Sequence, residues 1–179
     1  MQTNIIRKKD LEESYKFNAW AANYKQNIYK NTDIYNAPNA FNKDSIKAGL
    51  EKFREEIRLN FESLLKSGAL HKECNDMFLN LRVYSVRVLV SNYGGTPKSW
   101  LDKAFEIGIR KNHDYGADNI IDFGVPGLLV RLNDKVQRVK NLIGRESSAK
   151  VQDEKVEDTL LDIVNYATYA DMLSNKIWF

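Results

Sequence analysis

Two carboxylates one helical turn apart, Asp158 and Asp162, stand in the stretch V-E-D-T-L-L-D-I-V-N-Y-A-T-Y-A-D-M-L, residues 156–173. At ~100° per residue they share a face with Leu161, Asn165 and Tyr169, while Leu160, Ile163, Val164, Ala167 and Ala170 take the opposite one. Acids at i and i+4 repel each other, and the repulsion grows as water is withdrawn. Such a pair is retained where a cation holds it, either a divalent metal ion or a basic side chain. An exposed polar stripe is the plain alternative, and the flanking Leu161 and Tyr169 weigh against it.

A second charged set lies in L-L-V-R-L-N-D-K-V-Q-R-V-K-N-L-I, residues 128–143. A helix there has a core stripe of Leu129, Leu132, Val136, Val139 and Ile143. Asn133, Gln137, Lys140 and Asn141 form a solvent stripe. Arg131, Asp134, Lys135, Arg138 and Leu142 form a third. Two stripes suffice for a surface helix, so the third predicts a polar cavity facing the edge that holds Asp158 and Asp162. Two uses of that arrangement are open: carboxylates for a divalent cation with Lys and Arg for anionic oxygens, or an internal ion-pair network. A third set, R-K-N-H-D-Y-G-A-D-N, gathers Lys111, His113, Asp114, Tyr115 and Asn119 at a helix end beside Gly116, where a backbone can approach a ligand closely. His113 alone reads as a helix-end cation.

The elements that must position these groups are all helical. Leu11, Tyr15, Ala19 or Trp20, Tyr24 and Ile28 recur at helical spacing, an aromatic stripe suited to a core or a subunit contact. A turn-rich loop around Pro38 follows, and Asp44 or Ser45 is expected to cap a helix ending at Gly68. The glutamates of that helix (Glu51, Glu55, Glu56, Glu62) alternate with Lys and Arg, which predicts a salt-laced face rather than a metal site. Residues 75–92 are β-branched, yet Phe78, Leu81, Val88 and Leu89 fit a buried helix and no partner strand is evident. N-Y-G-G-T-P marks a boundary between residues 1–96, an N-terminal helical region for packing or assembly, and 97–179, the region holding the charged sets. In the second region Ser99 and Asp153 are expected caps, Pro126 a first-turn residue, and Gly116 and Gly144 helix stops. The expected architecture is all-α, with four to six helices and the last three packed as a small bundle.

Composition narrows the classes. With 179 residues, 43% hydrophobic and 28% charged, the chain can bury a real core. One cysteine, Cys74, excludes an internal disulfide, and two histidines without a C-x-x-C argue against structural zinc. A net charge of +3 without a lysine-rich stripe does not suit a duplex DNA reader. No apolar run reaches membrane-spanning length, and the start M-Q-T-N-I-I-R-K-K-D is too charged for a secretory signal, so a cytoplasmic location is expected.

In order, K-N-H-D-Y-G, R-L-N-D-K-V-Q-R-V-K-N-L and D-T-L-L-D-I-V-N-Y-A resemble the type-one nucleotide-modification-associated domain of phages and bacteria. That family is in turn similar to the MazG-like all-α nucleoside triphosphate pyrophosphohydrolases, and the resemblance extends over roughly residues 97 to 175. MazG-like enzymes hold magnesium with an E-x-x-E and an E-x-x-D helix; here the corresponding helices carry Asp134 alone and the D-x-x-x-D pair. The resemblance implies a pyrophosphohydrolase dependent on Mg2+ (or Mn2+), with Asp134, Asp158 and Asp162 as catalytic acids and metal ligands. Lys111, Arg131, Lys135 and Arg138 would then serve the phosphates, Asp114, Asn119 and Asn165 a water or the sugar, and Tyr115 the base. It also implies a homo-oligomer, with the aromatic N-terminal helix as a candidate contact. A non-catalytic phage protein that binds or sequesters a nucleotide, and a helical protein-interaction module, are the alternatives.

Overall fold

Capping chemistry sets several of the helix boundaries. The computed structural model describes residues 8–36, 41–72, 76–116, 118–145 and 155–178. Within them lie α1 (Lys8–Ile28), a 3-10 turn (Thr32–Asn36), α2 (Lys43–Ser67), α3 (Met77–Tyr93), α4 (Pro97–Tyr115), α5 (Asp118–Ile121), α6 (Gly124–Leu142) and α7 (Val156–Ser174), with no strand among the described residues. The class is all-α, and the helix beyond the expected six is the single turn α5. Asn42, not Asp44 or Ser45, is the N-cap of α2; Ser45 closes the capping box by returning its hydroxyl to the Asn42 backbone. Thr96 does the same for α4 with Ser99, so α4 starts at Pro97, ahead of the expected cap. Gly68 closes α2 in the left-handed region at φ 71°, as its position after the apolar stripe predicts. The expected cap Asp153 lies outside the described residues.

Helix α7 is the hub. It packs chiefly against α3 and α6, and also against α4 and α1. Almost every residue from Val156 to Met172 is buried as a result, Asp162, Asn165 and Thr168 included. The β-branched stretch is the helix α3, buried on most sides against α7, which is why it shows little amphipathic contrast. The bundle around α7 therefore draws on helices from both parts of the chain, not on the last three alone. Of the two uses open to the N-terminal stripe, the core is the one realised for Trp20, Tyr24 and Ile28, each with no exposed surface. Trp20 and Tyr24 join Tyr169 and Trp178 in an aromatic cluster with ring centroids 5.2 to 6.0 Å apart. Leu11 and Tyr15, farther toward the N-terminus, stay exposed.

The expected solvent stripe of α6 is instead its contact with α2. Arg54 Nε donates to Asn133 Oδ1 at 3.4 Å, and Lys140 pairs with Glu51. Periodicity marks the stripe as polar but cannot tell water from another helix's ion pairs. On α2 itself the salt-laced face is present: Arg58 bridges Glu55 at 3.0 Å and Glu62 at 2.7 Å. At the other side of α3, Arg82 is 1% exposed, and its guanidinium donates to Tyr35 Oη at 2.9 Å and to the Asn27 carbonyl at 3.0 Å. A buried cation is thereby satisfied by the carbonyl end of α1. Among the described residues no helix is long and apolar enough to cross a membrane.

Candidate functional site

The C-terminal end of α4, the short α5, α6 and α7 enclose a cavity of about 360 Å³. Helical spacing accounts for its lining. On α4, Lys111, Asn112 and Tyr115 lie within about one turn, and Gly116 then breaks the helix at φ 76°, after which Asn119 and Ile120 of α5 join the lining. From α6 comes Arg131, and from α7 come Asp162, Asn165, Tyr166 and Tyr169 at spacings of three or four.

Asp162 organises the charged end. Its side chain is only 12% exposed, and each of its oxygens is held by a lysine from a different helix: Oδ1 by Lys111 Nζ at 2.8 Å, Oδ2 by Lys135 Nζ at 3.2 Å. Arg131 lies over the Tyr166 ring at 5.8 Å, so α6 and α7 run antiparallel with Lys135 beside Asp162 and Arg131 beside Tyr166. Counting Lys111, Arg131 and Lys135 against Asp162, this end carries a surplus of positive charge.

Beneath it sits a saturated polar cluster. Asn165 Nδ2 donates to the Ala104 carbonyl at 2.9 Å, and Asn165 Oδ1 accepts from the Tyr24 hydroxyl. Both ends of this amide are thus engaged inside the protein, which makes Asn165 a wall of the cavity held in place by α1 and α4. Burial pushes the Tyr24 and Tyr169 hydroxyls well above the ordinary tyrosine range, so both stay protonated. They converge on Gly108, where a Cβ would lie 2.6 Å from Tyr24 Oη and 2.7 Å from Tyr169 Oη. Only glycine fits there.

The residues named from sequence are distributed as follows. Lys111, Tyr115, Asn119, Arg131, Asp162 and Asn165 line the cavity, with Tyr115 at its rim, 72% exposed. Lys135 reaches the same point through Asp162. Asp114 is exposed and lies against His113 at 3.3 Å. Asp134 is exposed, because one residue of helix turns it about 100° away from Lys135. The antiparallel register sets Arg138 level with the turn holding Asp158 and Thr159, beyond the cavity. Asp134, Asp158 and Asp162 do not converge: among the described residues no three His, Cys, Asp or Glu side chains are grouped to hold a metal ion. With both Asp162 oxygens taken by lysines, the donor set does not fit a resident divalent cation. Sequence reasoning missed Asn112, Tyr166 and Tyr169 as cavity residues. The first is adjacent to Lys111 and the other two follow Asp162 at i+4 and i+7, so the helical period could have found them.

Residues 111–173 match a family model described as nucleotide modification associated domain 1. The matched segment begins at Lys111 and encompasses every residue that lines the cavity. No curated protein and no solved structure matches the chain.

Proposed function

We propose that this chain binds a nucleotide in the cavity between α4, α5, α6 and α7, with phosphate oxygens at Lys111, Lys135 and Arg131. The observation that carries the reading is the doubly paired Asp162. Two lysine ammonium groups converge on one carboxylate, and a phosphate, with more negative charge, can take them over from it. Arg131, held on the face of Tyr166, adds a planar fork suited to a phosphate. Tyr115, Tyr166 and Tyr169 in the lining offer aromatic surface for a base, and the match to a nucleotide modification associated domain supports a nucleotide as the anion's carrier. In this reading residues 97–179 supply the ligand-binding groups, and residues 1–96 back them with Tyr24 and its neighbours.

Calorimetric titration of the protein with inorganic triphosphate and with nucleoside triphosphates tests the reading. Binding is expected to weaken at least tenfold in Lys111→Met and in Lys135→Met, since a charge-assisted hydrogen bond contributes about 1.5–3 kcal/mol. Equal affinity in both folded variants refutes it.

Magnesium-dependent hydrolysis of a nucleoside triphosphate to monophosphate and pyrophosphate is the second reading; with both Asp162 oxygens held by lysines, the metal would have to arrive with the nucleotide. It is tested by incubating the protein with a nucleotide panel and Mg2+ or Mn2+ and separating the products by chromatography. Binding of nucleotide without product under either metal decides for the binder.

A further inference from the structure

We infer that Tyr166 is a positioning residue for the anion: its ring holds Arg131, the principal phosphate anchor, which has no carboxylate partner among the described residues. The inference rests on the reading that the cavity binds a nucleotide. Arg131 is half-buried in the cavity lining, and its guanidinium carbon lies 5.8 Å from the centre of the Tyr166 ring. Among the described residues it makes no hydrogen bond and no ion pair. Asp134, three residues on along α6, is exposed and is not paired with it. The ring of Tyr166 is thus what restrains this cation.

The lysines are placed differently. Lys111 and Lys135 hold the two oxygens of Asp162 at 2.8 and 3.2 Å, so a phosphate gains either one only by loosening an existing ion pair. Arg131 has no such pair to give up. A cation attracted to a ring face is held by the ring's quadrupole, which leaves its N–H donors unpaired, so the guanidinium fork stays open to oxygen atoms. The antiparallel register sets the two kinds of cation side by side. Lys135 meets Asp162, and one turn along the seam of α6 and α7, about 6 Å away, Arg131 meets Tyr166. Tyr166 is in turn braced by Tyr169, the two ring centroids lying 6.4 Å apart at 66°. Its hydroxyl makes no hydrogen bond among the described residues, so the ring face and not the hydroxyl is the part in use. That face is covered by Arg131, whereas the ring of Tyr115 at the rim is open to a base.

The test is calorimetric titration of the full chain and its variants with inorganic triphosphate and with a nucleoside triphosphate, with a thermal melt of each protein. Arg131→Met is expected to weaken inorganic triphosphate binding more than Lys111→Met or Lys135→Met does. Tyr166→Leu should weaken it about fivefold, the size of a partly desolvated cation–π contact, and weaken the nucleoside triphosphate by the same factor. Tyr166→Phe, which keeps the ring, should restore binding to within about twofold of wild type. In the Arg131→Met background Tyr166→Leu should have no further effect, because a residue that acts through Arg131 then has nothing to position. The same loss in that background overturns the inference, since Tyr166 would be acting on its own. A loss confined to the nucleoside triphosphate also overturns it, by making Tyr166 a platform for the base, and leaves the nucleotide reading intact. So does a Tyr166→Phe as weak as Tyr166→Leu, which would put the hydroxyl on the ligand. Should Tyr166→Leu fold poorly, Arg131→Met decides alone: an effect smaller than that of both lysine variants overturns the inference. If the wild type binds neither ligand, both this inference and the nucleotide reading fall.

Discussion

Replacing Asp162 by Asn removes one charge and almost no volume from the most tightly coupled point of the cavity. In the native protein its two oxygens hold Lys111 Nζ at 2.8 Å and Lys135 Nζ at 3.2 Å, so the two ammonium groups lie within about 6 Å of each other across it. At that separation, with an effective dielectric near 60, two like charges repel by about 1 kcal/mol. The lost ion pairs add to this unequally. Lys111 is 50% exposed and its pair is largely screened, whereas Lys135 is 23% exposed and its pair counts for more. The sum is a destabilisation of about 1.5–3 kcal/mol, or a fall in Tm of roughly 4–10 °C for a domain of this size. Phosphate binding should move the other way. Removing a negative charge about 5 Å from a phosphate relieves repulsion of about 1 kcal/mol, which is roughly fivefold tighter binding. Thermal melts and calorimetry with inorganic triphosphate at low and high ionic strength read both signs at once, and the gain in affinity should shrink with salt. A folded Asp162→Asn that binds inorganic triphosphate more weakly than wild type refutes the argument, because Asp162 would then be helping the anion and not restraining its lysines.

Three further outcomes are expected. Arg82→Met should lower stability by about 3 kcal/mol or more in denaturant unfolding, because the Asn27 carbonyl and the Tyr35 hydroxyl lose their donor in the core; a loss under 1 kcal/mol contradicts the buried-network account. Gly108→Ala should cost about 1–3 kcal/mol, since its Cβ meets two buried hydroxyls, and Tyr169→Phe in the same chain should recover part of that; no recovery places the clash elsewhere. Burial raises the Tyr84 hydroxyl from 10.0 to about 12, so its contribution is fully present below pH 10 and is lost as pH rises toward 12, where the unfolded chain ionises first. Urea unfolding across that window should show a shallower decline in Tyr84→Phe, and an identical slope disproves the assignment.

Local periodicity alone determined the helical class, the faces of α6 and α7 and the region that contains the cavity. The ~3.6-residue repeat is a property of the backbone, and it carries Lys111, Arg131, Asp162 and Asn165 to definite sides of their helices without reference to the rest of the chain. Which face meets which is not local. The lysine that pairs with Asp162 from α4 is 51 residues away, and the hydroxyl that saturates Asn165 is 141 residues away on α1. For that reason the sequence left Asp162 open to a metal ion or a base, and tertiary packing filled both of its oxygens with lysines. The polar stripe of α6 reads the same whether it faces water or the ion pairs of α2, and only the packing of α2 over it decides. Asn112 shows the same limit from the other side. A single asparagine near a helix end is unremarkable in sequence, and its amide becomes a buried donor without an acceptor only because α4 is packed among its neighbours.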